Sequence, residues 1–208
     1  MTASSETVRR GRWQVIALAV LFFGPAILAW VMVWTGWRPM ATVNNGELLQ
    51  PPQKVQLAGW QSRDGAELTA ADFAGHWTLL AVEGGTCAEE CLARLDALLR
   101  VRVALDKDAG RVRIMLLQPD GTPAPEFPKR GLVQSATAPW SVLRPLLTVD
   151  GETLASEVHL IDYRGFRMMR YPIPLDASGM LDDMERLLRL SNEDLEHYLE
   201  RNPSDVER

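Results

Sequence analysis

One long apolar run near the N-terminus is the strongest feature of the hydrophobic pattern along the chain. No charged residue occurs between Arg12 and Arg38, and the run over residues 13–37 exceeds the roughly 20 apolar residues that a helix needs to cross a bilayer. It is also longer than the apolar core of about 7–15 residues in cleaved signal peptides, which is the competing interpretation. Because arginines precede the run, the positive-inside rule keeps the tail of residues 1–12 in the cytoplasm. The pattern therefore predicts a transmembrane signal anchor followed by an exported domain.

Beyond the anchor, the apolar positions alternate between the short period of strands and the longer period of helices. We expect a linker over residues 38–53, one α/β domain over residues 54–190, and a polar C-terminal helix and tail over residues 191–208. Prolines and glycines exclude long regular elements between residues 118 and 155. The predicted elements of the domain are an edge strand over 54–60, a helical turn over 68–75, a strand over 77–82, a helix from 91 to about 106, a strand over 111–117, a short helix over 138–147, a hairpin of 157–162 and 166–171, and a closing helix over 179–190.

The order of these elements is a β-α-β unit, a long crossing segment and a β-β-α unit. This order predicts a thioredoxin-like domain, in which a central mixed sheet is flanked by helices, behind a single N-terminal transmembrane helix. In such a fold the strand over 77–82 runs antiparallel to the first strand of the hairpin. The end of that strand is therefore expected near the beginning of the strand over 157–162.

Cys87 and Cys91 are the two cysteines of the chain, and they stand between a predicted strand and a predicted helix. The partial positive charge at a helix N-terminus favours thiolate over thiol, so a C-x-x-x-C motif at this position is typical of redox chemistry or metal binding. In an oxidising compartment such as a bacterial periplasm, two such thiols become a disulfide unless they are reduced or metallated. The alternative is a purely structural disulfide that joins the loop to the helix.

Composition and charge argue against several other classes of function. The formal net charge is −5 at pH 7, and the arginine-rich segments 94–102 and 164–170 are interleaved with acidic or apolar residues. No nucleic-acid-binding surface is therefore predicted. The sequence also contains no phosphate-binding loop, dinucleotide-binding motif or nucleophile elbow. We expect the chemistry of the chain to depend on the cysteine pair.

Two further motifs, together with the anchor and the cysteines, give the chain a resemblance to the Sco proteins. A Gly75-His76-Trp77 segment opens the strand before the cysteines, and Leu160-Ile161-Asp162-Tyr163-Arg164-Gly165 forms the hairpin. The resemblance extends to smaller Sco-like membrane-anchored thioredoxin-like proteins associated with cytochrome c oxidase assembly. It implies an inner-membrane anchor, a periplasmic domain, and partners that include the lipid bilayer and an oxidase subunit or another copper or thiol protein.

The Sco proteins place copper into cytochrome c oxidase and use both cysteines of C-x-x-x-C with a distant histidine. The resemblance therefore implies that Cys87 and Cys91 are metal ligands. The position that matches the Sco histidine falls near Leu154, and His159 is the nearest candidate for a third ligand. The alternative is that His159 is a hydrogen-bonded histidine on one face of its strand. Alanine and leucine follow the two cysteines here, where Sco proteins have prolines.

The available ligands favour Cu(I) as the metal. Two thiolates with at most one imidazole suit Cu(I), which accepts soft sulfur sites of low coordination number, whereas structural zinc needs four ligands. Three functions stay open: a copper-handling assembly factor with Cys87 and Cys91 as transient ligands, a thiol–disulfide oxidoreductase in which the same pair is catalytic, and a degenerate docking module whose disulfide is structural.

Overall fold

The chain divides into two compact units, residues 1–43 and residues 44–208. The computed structural model describes residues 4–35, 44–123, 125 and 130–191. Two predicted segments lie partly outside these residues, namely the linker over 38–53 at its beginning and the C-terminal helix over 191–208 beyond its first residue.

Helix α1 (Ser4–Thr35) is the described part of the first unit. Its segment Arg12–Met32 has a mean hydropathy of 2.5 and is long and apolar enough to cross a membrane. Pro25 lies inside α1 without ending it, since apolar spans tolerate proline where local groups satisfy the freed backbone. The apolar helix that the sequence predicts at this position is therefore present.

Mixed strand pairing characterises the described part of the second unit. The strands are β1 (Glu47–Lys54), β2 (Gln61–Ser62), β3 (Trp77–Glu83), β4 (Val112–Pro119), β5 (Val133–Ala138), β6 (Thr148–Val149), β7 (Glu152–Thr153), β8 (Ser156–Ile161) and β9 (Phe166–Tyr171). Within the described residues they form a seven-stranded sheet in the order β1-β9-β8-β3-β4-β5-β2 and a small β6–β7 hairpin. Strand β3 is central because it pairs in parallel with β4 and antiparallel with β8.

Helices cover both faces of this sheet. Their bounds are Glu89–Ala104 (α2), Trp140–Leu147 (α3) and Ala177–Leu190 (α4). Helices α2 and α4 share one hydrophobic cluster with Leu79 and Leu160, and α3 shares the other with Leu80 and Ile161. Neighbouring residues of one strand enter different clusters because successive side chains of a strand point to opposite faces. We call the two sides of the sheet the α2 face and the α3 face.

The register of β3 and β8 confirms the predicted position of the hairpin. Glu83, the last residue of β3, pairs with Ser156, the first residue of β8. The chain that leaves β3 towards the cysteines therefore starts beside the beginning of β8, as the antiparallel arrangement requires.

Strand β1 corrects the predicted linker over 38–53 and the predicted edge strand over 54–60. It ends at Lys54 and pairs antiparallel with β9, and the next strand begins only at Gln61. Pro51 and Pro52, which favour a linker, lie within β1, and the pairing with β9 is interrupted around them. An edge strand accommodates proline because one side of its backbone forms no ladder hydrogen bonds.

Strand β5 lies within residues 118–155, where the prediction contains no strand. It pairs in parallel with β4 and extends the sheet on that side. Its buried residues are small or of moderate size, namely Val133, Ala136 and Ala138. Pro139 follows β5 directly and does not interrupt it, and Pro119 is the last residue of β4. These two prolines mark the ends of strands, whereas Pro145 lies inside α3.

Candidate functional site

Cys87 and Cys91 form a disulfide, with a distance of 5.1 Å between their Cα atoms. The structure therefore brings together the two residues that the sequence predicts as the reactive pair. Cys91 is 3% exposed and belongs to the hydrophobic cluster of the α2 face, whereas Cys87 is half-buried at the edge of that cluster. Cys87 is therefore the more accessible of the two cysteines.

The cysteines flank the beginning of α2. The helix starts at Glu89, so that Cys87 precedes it and Cys91 lies in its first turn. The cap residue, Ala88, forms no side-chain hydrogen bond to that turn, and the positive end of the helix favours thiolate over thiol at both cysteines. Glu89 and Glu90 are exposed in the same turn and place negative charge beside the pair.

Hydrogen bonds on both sides hold the loop that carries Cys87. The N–H of Gly84 donates to the carbonyl of Ala155 over 2.8 Å, and the side-chain amide of Gln118 donates to the carbonyl of Gly85 over 3.1 Å. Gln118 is fully buried and accepts a hydrogen bond from Arg63 over 2.8 Å. The position of the first cysteine relative to α2 is therefore set by the ends of β4 and β8.

A buried ion pair between Glu83 and Arg94 lies beside the cysteines and is not predicted from the sequence. Arg94 follows Cys91 by three residues on α2, and both partners of the pair are less than a tenth exposed. Burial raises the pKa of Glu83 to about 7, although the charge of Arg94 opposes that shift. A charged residue at the end of a wholly buried strand is the sequence signal that points to this pair.

His159 is not brought to the cysteines. It pairs with Leu80 of β3, so its side chain lies on the α3 face, and its Nε2 lies 2.9 Å from the carbonyl oxygen of Leu146 in α3. Burial and, to a lesser extent, the nearby Arg167 lower the pKa of His159 to about 3, which keeps the imidazole neutral. His159 is a predicted ligand because it lies near the beginning of β8, close to where the chain leaves β3 towards the cysteines. The two-residue period of the strand, however, places its side chain on the other face of the sheet.

Two other positions, Leu154 and His76, supply no third ligand either. Leu154, near the position matching the Sco histidine, has no ligating side chain, and its N–H donates to the carbonyl of Leu147. The Nδ1 atom of His76 lies 3.3 Å from the carbonyl oxygen of Ala74, before the start of β3. In the described ranges no group of three histidine, cysteine or acidic residues is arranged to hold a metal ion. Reduction of the Cys87–Cys91 disulfide would yield two soft sulfur ligands, which suits two-coordinate Cu(I).

A second polar cluster surrounds His159 on the α3 face, and the sequence prediction does not contain it. Glu157 is 1% exposed and accepts a hydrogen bond from Arg170 over 3.4 Å, and Arg170 also forms an ion pair with Glu47. Burial raises the pKa of Glu157 against the opposing charge of Arg170. Arg167 also acts on Glu157, so that two arginines face two carboxylates in this cluster on the α3 face.

Two family models match the sequence. One, described as a transmembrane-like, thioredoxin-like, C-terminal domain, matches residues 77–191 and so contains both cysteines. The other, a transmembrane-like N-terminal domain, matches residues 5–36, which correspond to α1. No curated protein matches the chain.

Solved Sco structures share the fold of the second unit. Apo Sco1 from Thermus thermophilus is 17% identical with a TM-score of 0.55, and the match covers 72% of this chain and 99% of that one. ScoI from Arabidopsis thaliana, with copper bound, is 15% identical with a TM-score of 0.51, and the match covers 70% and 99%. BsSco, a cytochrome c oxidase assembly protein with a disulfide switch, is 14% identical with a TM-score of 0.50, and the match covers 67% and 96%. These likenesses confirm the predicted Sco-like, thioredoxin-like fold.

Proposed function

Because this chain belongs to the family of transmembrane-like proteins with a thioredoxin-like C-terminal domain, we propose that it is a membrane-anchored periplasmic factor in cytochrome c oxidase assembly. It acts through the reversible pairing of Cys87 and Cys91. The observation that carries the proposal is the disulfide between a half-buried and a buried cysteine at the N-terminus of α2. The Sco proteins that share this fold include cytochrome c oxidase assembly proteins and a copper-bound form.

The different exposure of the two cysteines supports different roles for them in the proposed thiol exchange. A partner thiolate attacks the sulfur of Cys87, the bond to Cys91 breaks, and Cys91 leaves as a thiolate. A second thiolate of the partner then attacks the partner sulfur of the mixed disulfide and displaces Cys87. The partner is thereby oxidised to a disulfide, and the pair is reduced to two thiols. The reverse sequence reduces a partner disulfide.

In the reduced state the same pair accepts Cu(I) as cargo. Two thiolates four residues apart match the preference of Cu(I) for soft sulfur ligands. The exposed carboxylates of Glu89 and Glu90 favour a cation at this end of α2. No group of three histidine, cysteine or acidic residues is arranged to hold a metal ion in the described part of the chain, so the proposed site is two-coordinate and suited to transfer. Thiol exchange with a partner disulfide, which is itself reduced to two thiols, oxidises Cys87 and Cys91 to their disulfide and releases Cu(I).

The N-terminal segment supports the proposed location. Arginines precede the apolar part of α1, which favours a cytoplasmic N-terminus and a periplasmic thioredoxin-like domain. In the periplasm the cysteines are in an oxidising compartment, and the membrane anchor keeps the domain close to a membrane-embedded oxidase. A docking module with a structural disulfide is the second candidate, and the burial of Cys91 in the hydrophobic cluster favours it.

Oxidase activity in cells that lack the gene tests the proposal. We expect wild-type protein to restore cytochrome c oxidase activity, and Cys87→Ser and Cys91→Ser to fail at equal protein level. Thr86→Ser, in the exposed residue next to Cys87, is the matched control and should restore activity. If both cysteine variants restore activity fully, the docking module replaces the thiol and copper mechanism; if deletion leaves the oxidase unaffected, the role in assembly is wrong.

A further inference from the structure

The loop of Cys87 and the beginning of α3 lie at the same edge of the central sheet. Strand β4 pairs in parallel with both β3 and β5, and the carboxyl ends of parallel strands meet at one edge of a sheet. The loop follows β3, which ends at Glu83, and Trp140 follows β5, which ends at Ala138. Trp140, which is distant from the cysteines in sequence, is therefore placed on their side of the sheet.

The indole of Trp140 packs against the start of that loop. A Cβ atom placed on Gly84 would lie 3.6 Å from the Cη2 atom of Trp140, and the N–H of Gly84 is fixed by its hydrogen bond to Ala155. The side chain of Trp140 is nonetheless 45% exposed, whereas the other two tryptophans of the second unit are buried. The chain from Gly84 to Cys87 spans at most roughly 11 Å. An exposed aromatic ring therefore lies near the disulfide.

The surface between the indole and the disulfide is open. The residues beside the half-buried Cys87 are exposed, namely Gly85, Thr86 and Ala88. Among the described groups, none lies within 4 Å of the position that a Cβ atom on Gly85 would occupy. Exposed aromatic residues are enriched in protein interfaces and in the positions that dominate binding energy. The loop and Trp140 together thus offer an accessible surface that leads to the reactive sulfur of Cys87.

The charges along this surface differ between its two ends. Glu89 and Glu90 are exposed just after Cys87 and attract a cation there. Arg144 is exposed four residues after Trp140 in α3, and residues at this spacing are neighbours on a helix surface. A cation at the indole would therefore be repelled. The surface favours a basic group beside the disulfide and an uncharged apolar group at Trp140.

We propose that Trp140 and the exposed residues around Cys87 form a docking surface for an extended, cysteine-containing segment of a partner protein. An aromatic or aliphatic side chain about three residues from the partner's cysteine packs on the indole, since three extended residues match the span from Gly84 to Cys87. A lysine or arginine next to that cysteine faces Glu89 and Glu90. The inference rests on the proposed thiol exchange and specifies which segment presents its thiolate to Cys87.

Peptide binding to the oxidised full-length protein in phosphatidylcholine nanodiscs tests this surface. The probe is a blocked peptide with the order phenylalanine, glycine, lysine, serine, lysine, glycine, phenylalanine, in which serine replaces the reactive cysteine. After subtraction of empty nanodiscs, calorimetry should show one peptide per chain with a Kd below roughly 1 mM. Alanine for both phenylalanines should weaken binding roughly tenfold, and glutamate for both lysines roughly threefold or more. No saturable binding up to roughly 5 mM, or equal binding of the three peptides, would overturn the proposal.

Variants locate the binding. Trp140→Ala is expected to weaken it roughly tenfold and Trp140→Phe at most about threefold, because phenylalanine keeps an aromatic ring. Leu132→Ala is the control, since Leu132 is 47% exposed directly before β5, at the opposite edge of the sheet, and binding should be unchanged. Combined Glu89→Lys and Glu90→Lys should make the glutamate peptide bind better than the lysine peptide, a test that does not depend on the folding of Trp140→Ala. Equal effects of Trp140→Ala and Leu132→Ala, or an unchanged charge preference, would overturn the assignment.

The same peptides with cysteine in place of serine separate this surface from the proposed function. The peptide thiolate attacks the sulfur of Cys87, forms a mixed disulfide and releases Cys91 as a thiolate, which mass spectrometry after acid quenching detects. We expect the phenylalanine peptide to react roughly tenfold faster than the alanine peptide at low concentration. Equal rates would overturn the docking surface and leave thiol exchange intact. Binding of the serine peptide without any reaction of the disulfide, even with dithiothreitol, would support the surface and contradict thiol exchange.

Discussion

Cys91 and His159 lie on opposite faces of the central sheet. Cys91 packs in the hydrophobic cluster of the α2 face, whereas His159 pairs with Leu80 of the α3 face and interacts with the carbonyl of Leu146. Because β3 and β8 separate the two side chains, rotation of the imidazole cannot carry its second nitrogen to the cysteines. His159 is therefore not placed as a third ligand beside Cys87 and Cys91, and no group of three histidine, cysteine or acidic residues is arranged to hold a metal ion among the described residues.

Acid should destabilise the folded domain through His159. Its pKa is lowered from 6.5 to about 3, so below pH 6.5 the unfolded chain takes up a proton that the folded chain does not. The stabilisation is complete above pH 6.5 and is lost as the pH falls towards 3, at up to about 1.4 kcal/mol per pH unit. We expect the free energy of unfolding, measured with urea, to fall less steeply between pH 6.5 and 4.5 in His159→Gln. Glutamine keeps a donor for Leu146 and does not titrate, so equal slopes would contradict this role of His159.

Burial of Glu83, which its ion pair with Arg94 only partly offsets, should make stability depend on pH in the opposite direction. The pKa of Glu83 is raised from 4.5 to about 7, so its contribution to stability is complete below pH 4.5 and is lost as the pH rises through 7. Arg94→Leu removes the countercharge of a buried carboxylate. We expect a loss of about 3–5 kcal/mol in the free energy of unfolding at pH 8 and a smaller loss at pH 5, where Glu83 is protonated.

Arg100→Leu is the control on the same helix. Arg100 pairs with Asp96 over 2.8 Å, but its side chain is 69% exposed, and such surface pairs contribute at most about 1 kcal/mol. The loss in this variant should be small at both pH values. A loss in Arg94→Leu that is equal at pH 5 and pH 8 would show that Glu83 does not titrate in this interval.

The thiol count of the protein isolated in air should report the disulfide. With Cys87 and Cys91 joined, the wild type is expected to show no titratable thiol under denaturing conditions without reductant. Cys91→Ser should show one thiol per chain, since its former partner is left free. Alkylation followed by mass spectrometry gives the count directly, and two free thiols in the unreduced wild type would be incompatible with the disulfide.

Membrane topology can be tested with a reporter that is active only outside the cytoplasm. Fused after Arg208, it should be active, and the protein should remain with the membrane after a carbonate wash. Charge reversal of Arg9, Arg10 and Arg12 is expected to reduce reporter activity, because the positive-inside signal is removed. An inactive wild-type fusion, or release of the protein by carbonate, would contradict a periplasmic domain on a membrane anchor.

The sequence predicts the central elements of the fold because their patterns are local. Three sequence features depend only on neighbouring residues. The apolar run before Cys87 predicts β3, the helical spacing after it predicts α2, and the Tyr163-Arg164-Gly165 turn predicts the β8–β9 hairpin. Strands β1 and β5 are missed because the prolines within β1 and directly after β5 resemble those of a linker.

The candidate site is predictable only in part for the same reason. The spacing of Cys87 and Cys91 identifies the pair, since both lie within one loop and one helical turn. The face occupied by His159 depends on the register of β8 against β3, and a displacement of one residue would reverse it. The partnership of Glu83 with Arg94 likewise requires the packing of α2 on β3.

Cu(I) binding by the reduced full-length protein in nanodiscs tests the central claim most directly. Under anaerobic conditions and against a weak competing chelator, we expect one Cu(I) per chain, lost in Cys87→Ser and in Cys91→Ser. His159→Ala should bind with an affinity within about twofold of wild type, whereas loss of a residue that supports the metal site would weaken binding roughly 10–100-fold. Failure of the reduced wild type to retain Cu(I), or retention that survives loss of either cysteine, would contradict a two-cysteine copper site.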